Sequence, residues 1–224
     1  MEARHLLRYR SLRLADDLHV IAVDLNGHGR TPDRNPDDVT QSYLDDIHSV
    51  VEELDRPILA GHSMGGALAQ LYALSNPEHL RGLVLVGTGA RLRVAKFIFD
   101  LLDNDFDGYV SAVGQYMFAE GASPQLIEAS QAEVRKCPVH IIRRDFVVCN
   151  EFDIMTEVHR IAVPTLVIVG SDDVMTPVKY AAYLDREIPN SRLVVIRGAG
   201  HSVMLEKPAE VNSAILEWAS SRAL

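Results

Sequence analysis

The chain is 224 residues long, 47% of them hydrophobic, with two cysteines and a formal net charge of −9. That length fits one domain with a sizeable core, and the acidic balance argues against nucleic acid or an anionic membrane surface as a partner. Cys137 and Cys149 make neither a disulfide framework nor a metal-ligand pattern.

In chain order, residues 1–10 read as a helix and residues 18–25 as a buried strand of parallel type, closed by the turn Asn26-Gly27-His28-Gly29. Asp24 and His28 are read as parts of that turn rather than as chemistry. A helix follows in which Val39, Tyr43, Leu44, Ile47, Val50, Val51 and Leu54 recur at helical spacing. Residues 57–60 form a strand and 66–75 a helix, where Gly66, Ala67 and Ala69 permit close packing on a sheet. The next strand, 83–86, ends at Gly87-Thr88-Gly89. From 90 to 160 the alternation stops, and helical pieces at 94–102, 109–118 and 124–136 take its place. It resumes with a strand at 163–169, a helix marked by Pro177, Tyr180, Ala181, Leu184 and Ile188, and a strand at 193–196. A terminal helix is marked by Val211, Ala214, Ile215 and Trp218, with Pro208 in its first turn. Strands alternating with helices predict an α/β fold, a mostly parallel sheet with helices on both faces. No charged-then-apolar leader opens the sequence and no apolar run reaches membrane-spanning length, so a cytoplasmic setting is expected.

Between the strand at 57–60 and its helix stands Gly61-His62-Ser63-Met64-Gly65-Gly66. A serine on a tight strand-to-helix turn needs small residues two before and two after it, and Gly61 and Gly65 supply them. The helix N-terminus beneath would let the Met64 amide face a developing oxyanion. Downstream, Gly170-Ser171-Asp172-Asp173 follows one strand and Gly198-Ala199-Gly200-His201 the next. A serine hydroxyl is a poor nucleophile, so His201 would take its proton and return it to the leaving group while Asp173 holds the imidazole. Asp172 is the rival for that last role, and His62 reads as a packing or gating residue. The remaining histidines show no ligand spacing, and neither a metal nor a cofactor is expected.

The order Ser63, Asp173, His201, each beyond its own strand, resembles the α/β-hydrolase superfamily, in particular its small, cap-bearing serine esterases and lactonases. The family pattern G-x-x-D-x-x-x-P, matched by Gly170, Asp173 and Pro177, favours Asp173 over Asp172. The resemblance implies a hydrolase core at 1–89 and 161–224 with a helical cap or lid inserted at 90–160. There Phe97, Phe99, Phe106, Tyr116, Phe118, Phe146 and Phe152 would line an acyl pocket or form the cap's own core. It also implies an acyl-serine route acting on a small carboxylic ester, lactone or thioester, the substrate being the only partner expected. Serine in place of aspartate at position 63 argues against an alkyl-enzyme ester. The same triad would serve a carbon-carbon-bond hydrolase, acyl transfer to another acceptor, perhydrolysis, or a small-molecule receptor with little catalysis. In the family three further strands precede the one at 18–25, and the loop after the third carries an H-G motif that supplies a second oxyanion amide. Only residues 1–17 precede it here, so the expectation is an incomplete gene product or a late start codon, with a gap inside the sheet.

Overall fold

In the computed structural model, which describes Leu14 and residues 18–221, four parallel strands form one sheet in the order β1-β2-β3-β4. They are β1 (Ile58–His62), β2 (Gly82–Val86), β3 (Thr165–Gly170) and β4 (Ser191–Ile196). Residues 1–10 lie outside the described residues. The helices of the core are α1 (Val39–Val51), before β1, and α2 (Met64–Ser75), joining β1 to β2. Between β2 and β3 come α3 (Lys96–Asn104), α4 (Phe106–Tyr116), α5 (Pro124–Val134) and α6 (Val139–Glu151). The chain closes with α7 (Val178–Glu187), α8 (Val203–Glu206) and α9 (Pro208–Ser221).

The central strands β2 and β3 are buried along their whole length, and their side chains alternate between two cores. Leu83, Leu85, Val167 and Val169 pack with Tyr43, Leu68, Tyr72 and Leu184 on one face. On the other, Val84, Val86, Leu166 and Ile168 meet Val211, Ala214 and Trp218 of α9. This double covering is why both strands read as unbroken apolar runs.

The segment 18–25 corrects the expectation of a buried strand. It has no strand structure, and Val20 and Ile21 are 41% and 38% exposed. Among the described residues no strand runs along the outer edge of β1. An apolar segment becomes a strand only where a neighbour completes its ladder, and here none does. The turn after this segment is nevertheless ordered locally. The Asp24 carboxylate accepts a hydrogen bond from the Arg30 amide, and its backbone oxygen accepts one from Thr31 Oγ1 at 2.8 Å. Gly27 and Gly29 have φ of +81° and +54°, and a Cβ on Gly29 would overlap the Asp24 carboxyl group.

The helices α3 to α6 build a small core of their own from Leu102, Tyr109, Val110 and Ile142, with Phe106 and Phe146 packed against it. Phe152 belongs to the sheet core, whereas Phe97 and Tyr116 are exposed and face each other with ring centroids 5.5 Å apart. The two ends of this excursion meet where Ile154 N donates to Ala90 O at 2.8 Å and Arg91 pairs with Asp153. Helix α1 stops at Val51, three residues short of the Leu54 that continued its apolar spacing.

Candidate active site

Ser63 lies at the junction of β1 and α2 with φ +51° and ψ −114°, a backbone region that costs on the order of 1–3 kcal/mol for a residue with a side chain. The strain is held by bonds on both sides. Ser63 N donates to Val86 O at 3.0 Å, and Ser63 O accepts from Thr88 Oγ1 at 2.9 Å and Ala67 N at 3.1 Å. A Cβ on Gly61 would overlap the Gly65 carbonyl, so glycine is required there; a Cβ on Gly65 would meet nothing within 4 Å. The crowding at the turn therefore falls on one of the two flanking glycines. Met64 N, in the first turn of α2, has no protein acceptor among the described residues, as expected at a helix N-terminus.

The loops after β3 and β4 are fastened to each other. Ser171 N donates to Ile196 O, Asp172 N to Ala199 O, and Gly198 N to Ser171 Oγ. A Cβ on Gly170 would overlap the carbonyls of Ala199 and Gly200. This closeness brings Asp173 Oδ2 to 2.8 Å from His201 Nδ1, both residues being buried at 4% and 1% exposure. Asp172 is exposed and instead accepts from Ser171 Oγ at 2.7 Å. With Nδ1–H donated to Asp173, the other ring nitrogen of His201 is left as an acceptor.

Four donors converge on the Asp173 carboxylate: His201 Nδ1–H, Met175 N at 2.9 Å, Thr176 N at 2.8 Å and the Thr176 hydroxyl at 2.8 Å. Burial opposes its charge, but the hydrogen bonds from His201 and Thr176 outweigh it and hold the carboxyl below the usual aspartate range. Thr176 Oγ1 also lies 3.2 Å from His201 Nδ1. Sequence reading missed Thr176. The signal was an acid that opens an Asx turn by accepting from the amide two residues on, Met175 N, with a hydroxyl residue as the next in the chain.

His62 lies against the pair, its ring centroid 4.6 Å from that of His201 and its Nε2–H donating to His201 O at 3.0 Å. Desolvation, and then the neighbouring His201 ring, push it down to about 3, so it stays neutral at ordinary pH. Gly87 is the third neighbour: a Cβ there would come within 3.3 Å of the His62 ring and 3.4 Å of His201 Nδ1. The structure thus joins Asp173 directly to His201 and sets the strained Ser63 beside the His62 that supports them. Among the described residues Ser63 Oγ makes no hydrogen bond to His201.

His28, away from this cluster, serves the turn. Its Nδ1 faces the Asn26 carbonyl at 3.1 Å and its Nε2 the Asp145 carboxylate at 2.9 Å. Two acceptors favour the doubly protonated ring, and the Asp145 bond raises its pKa despite burial. Tyr43 and Arg144 complete this network, which ties the turn to α1 and α6. Among the described residues no group of three His, Cys, Asp or Glu is arranged to hold a metal. Both cysteines are free, and burial pushes the Cys149 thiol up to about 12. A cavity of about 260 Å³ lies between Arg91, Met155, Tyr180 and Tyr183, at the root of the helical excursion rather than at Ser63 or His201.

Residues 3–214 match the model of the alpha/beta hydrolase family. The chain is 30% identical to the proline iminopeptidase PfmaB of Pestalotiopsis fici, over 87% of this chain and 79% of that one. It is 28% identical to a pimeloyl-[acyl-carrier protein] methyl ester esterase of Neisseria meningitidis, over 90% and 83%. Among solved structures it is similar to a thermophilic esterase, with 37% identity, a TM-score of 0.81, and coverage of 88% of this chain and 79% of that one.

Proposed function

The chain belongs to the alpha/beta hydrolase family, and from that premise we propose that it is a serine hydrolase that cleaves a small carboxylic ester, lactone or thioester through an acyl-serine. The observation that carries this reading is the buried Asp173–His201 hydrogen bond, 2.8 Å long, beside a serine held in a strained turn. In the proposed cycle Ser63 attacks the acyl carbon and His201 takes its proton through the ring nitrogen that Asp173 leaves free. His201 then returns that proton to the departing alcohol or thiol. Water repeats the sequence on the acyl-serine, and the acid leaves. Met64 N would face the oxyanion at each tetrahedral stage, where one such donor is worth about 3 kcal/mol. His62 remains neutral and so adds no charge against the imidazolium.

Residues 90–160 are proposed as a cap over this site and 1–89 with 161–224 as the hydrolase core. The partner is a small acyl substrate. Among the described residues no helix is long and apolar enough to cross a membrane, and two free thiols fit a reducing, cytoplasmic setting.

A fluorophosphonate probe tests the reading. The folded protein is expected to label and Ser63→Ala to stay unlabelled, with hydrolysis of p-nitrophenyl acetate lost in the same variant. A folded sample that takes no label, or a Ser63→Ala variant that still does, would overturn it.

A further inference from the structure

The loop that carries His201 is held from a second side, by the chain between α4 and α5. Ser202 N donates to Met117 O at 2.7 Å. Gly200 N donates to Glu206 Oε1 at 2.7 Å, and Ala119 N donates to Glu206 Oε2 at 2.9 Å. One carboxylate thus spans the two backbones. They pass so closely that a Cβ on Gly200 would lie 2.6 Å from both Ala119 N and Phe118 C. Glu206 has no basic side chain as an ion-pair partner among the described residues. Its negative charge is answered by two backbone N–H groups, a use in which charge-assisted bonds are roughly twice as strong as neutral ones. Together with His62 at His201 O, these bonds fix the backbone at residues 200, 201 and 202.

We propose that Glu206 is a positioning residue for His201: it straps the base loop to the segment 117–119, so that the aim of the imidazole depends on the helical excursion as well as on the sheet. Both oxygens must accept, because both partners are N–H donors. A glutamine would therefore turn an NH₂ toward one of them and release one side of the strap. For its kinetic arm the proposal rests on the hydrolase reading above; its spectroscopic arm does not.

The test compares the wild type with Glu206→Gln and with Gly200→Ala, which forces the same backbones apart from the other side. The first readout is the low-field proton resonance of the His201 Nδ1–H bonded to Asp173, identified by its loss in Asp173→Asn. The second is kcat and KM for the ester hydrolysed by the wild type, with thermal unfolding recorded alongside. Expected in both variants are a shifted or broadened resonance and a kcat reduced on the order of 10- to 100-fold, the scale of a misplacement near 1 Å. KM should stay within about twofold, because a group that acts only in proton transfer does not add to ground-state binding. A Glu206→Gln protein that keeps the wild-type resonance overturns the proposal, whether its melting temperature falls or not. A wild type that shows the resonance but neither labels nor hydrolyses removes the hydrolase reading and leaves Glu206 to be judged by the resonance alone.

Discussion

Thr176→Val is the substitution whose effect the geometry states most directly. It keeps the shape of the side chain and the Thr176 N–H, and removes only the hydroxyl that donates to Asp173 Oδ2 at 2.8 Å. Asp173 then retains three of its four donors, in a site 4% exposed where water cannot replace the fourth. A hydrogen bond to a charged group is worth about 1.5–3 kcal/mol, so the variant should lose that much stability at pH 7. In a domain of this size the melting temperature would fall by about 3–12 °C. The loss must also depend on pH with a definite sign. Asp173 is held below 3.8 in the folded state, so the stability it contributes is complete above its unfolded pKa and disappears as pH falls through the folded one. The gap between the two proteins in urea unfolding should therefore close in acid. An unchanged midpoint at pH 7, or a gap that persists unaltered below the folded pKa, would refute the assignment of Thr176 to the carboxylate.

At the strained turn the two flanking glycines should behave unequally. Gly61→Ala places a methyl group into the Gly65 carbonyl and should cost about 1–3 kcal/mol by urea unfolding, whereas Gly65→Ala, with open space around it, should be neutral or gain up to about 1 kcal/mol of helix propensity. His28 gives a second pH signature. Its folded pKa is raised, so its contribution is complete below about 6.5, the ordinary value, and is lost as pH climbs through the folded one. Unfolding measured across that window should show a slope that His28→Gln abolishes.

The sheet was legible because β2 and β3 are covered on both sides, which leaves Thr165, at the start of β3, as the one polar side chain in their runs. The stretch 18–25 carries the same signature without the result. Composition can state that a segment would suit a sheet but not whether a neighbour lies beside it, and burial followed the neighbour. The turn at Ser63 was readable from spacing, since close approach there leaves room only for hydrogen at Gly61. Gly65 looked equivalent in sequence and is not, because a Cβ there would meet nothing within 4 Å. For Asp173 against Asp172 the motif register already pointed to the residue that the structure puts on His201. Thr176 and Glu206 escaped notice because each acts on backbone or on a carboxylate already named, and a supporting group of that kind has no motif of its own. Helix α6 was hidden by Cys137-Pro138, where a proline opens a helix in a stretch otherwise rich in charge.

Asp173 and His201 are only 28 residues apart and hang from adjacent strands in register, with a short helix between. The acid and base are therefore joined across a local strand pairing, whereas the four-helix excursion between β2 and β3 enters from elsewhere. Under the proposed function, lengthening, shortening or exchanging most of that excursion would leave the Asp173–His201 pair assembled, so that substrate preference could change while acid and base stay in place. The one stretch not free to drift is 117–119, where a grafted excursion would have to reproduce the backbone path over Gly200 or lose its grip on the imidazole.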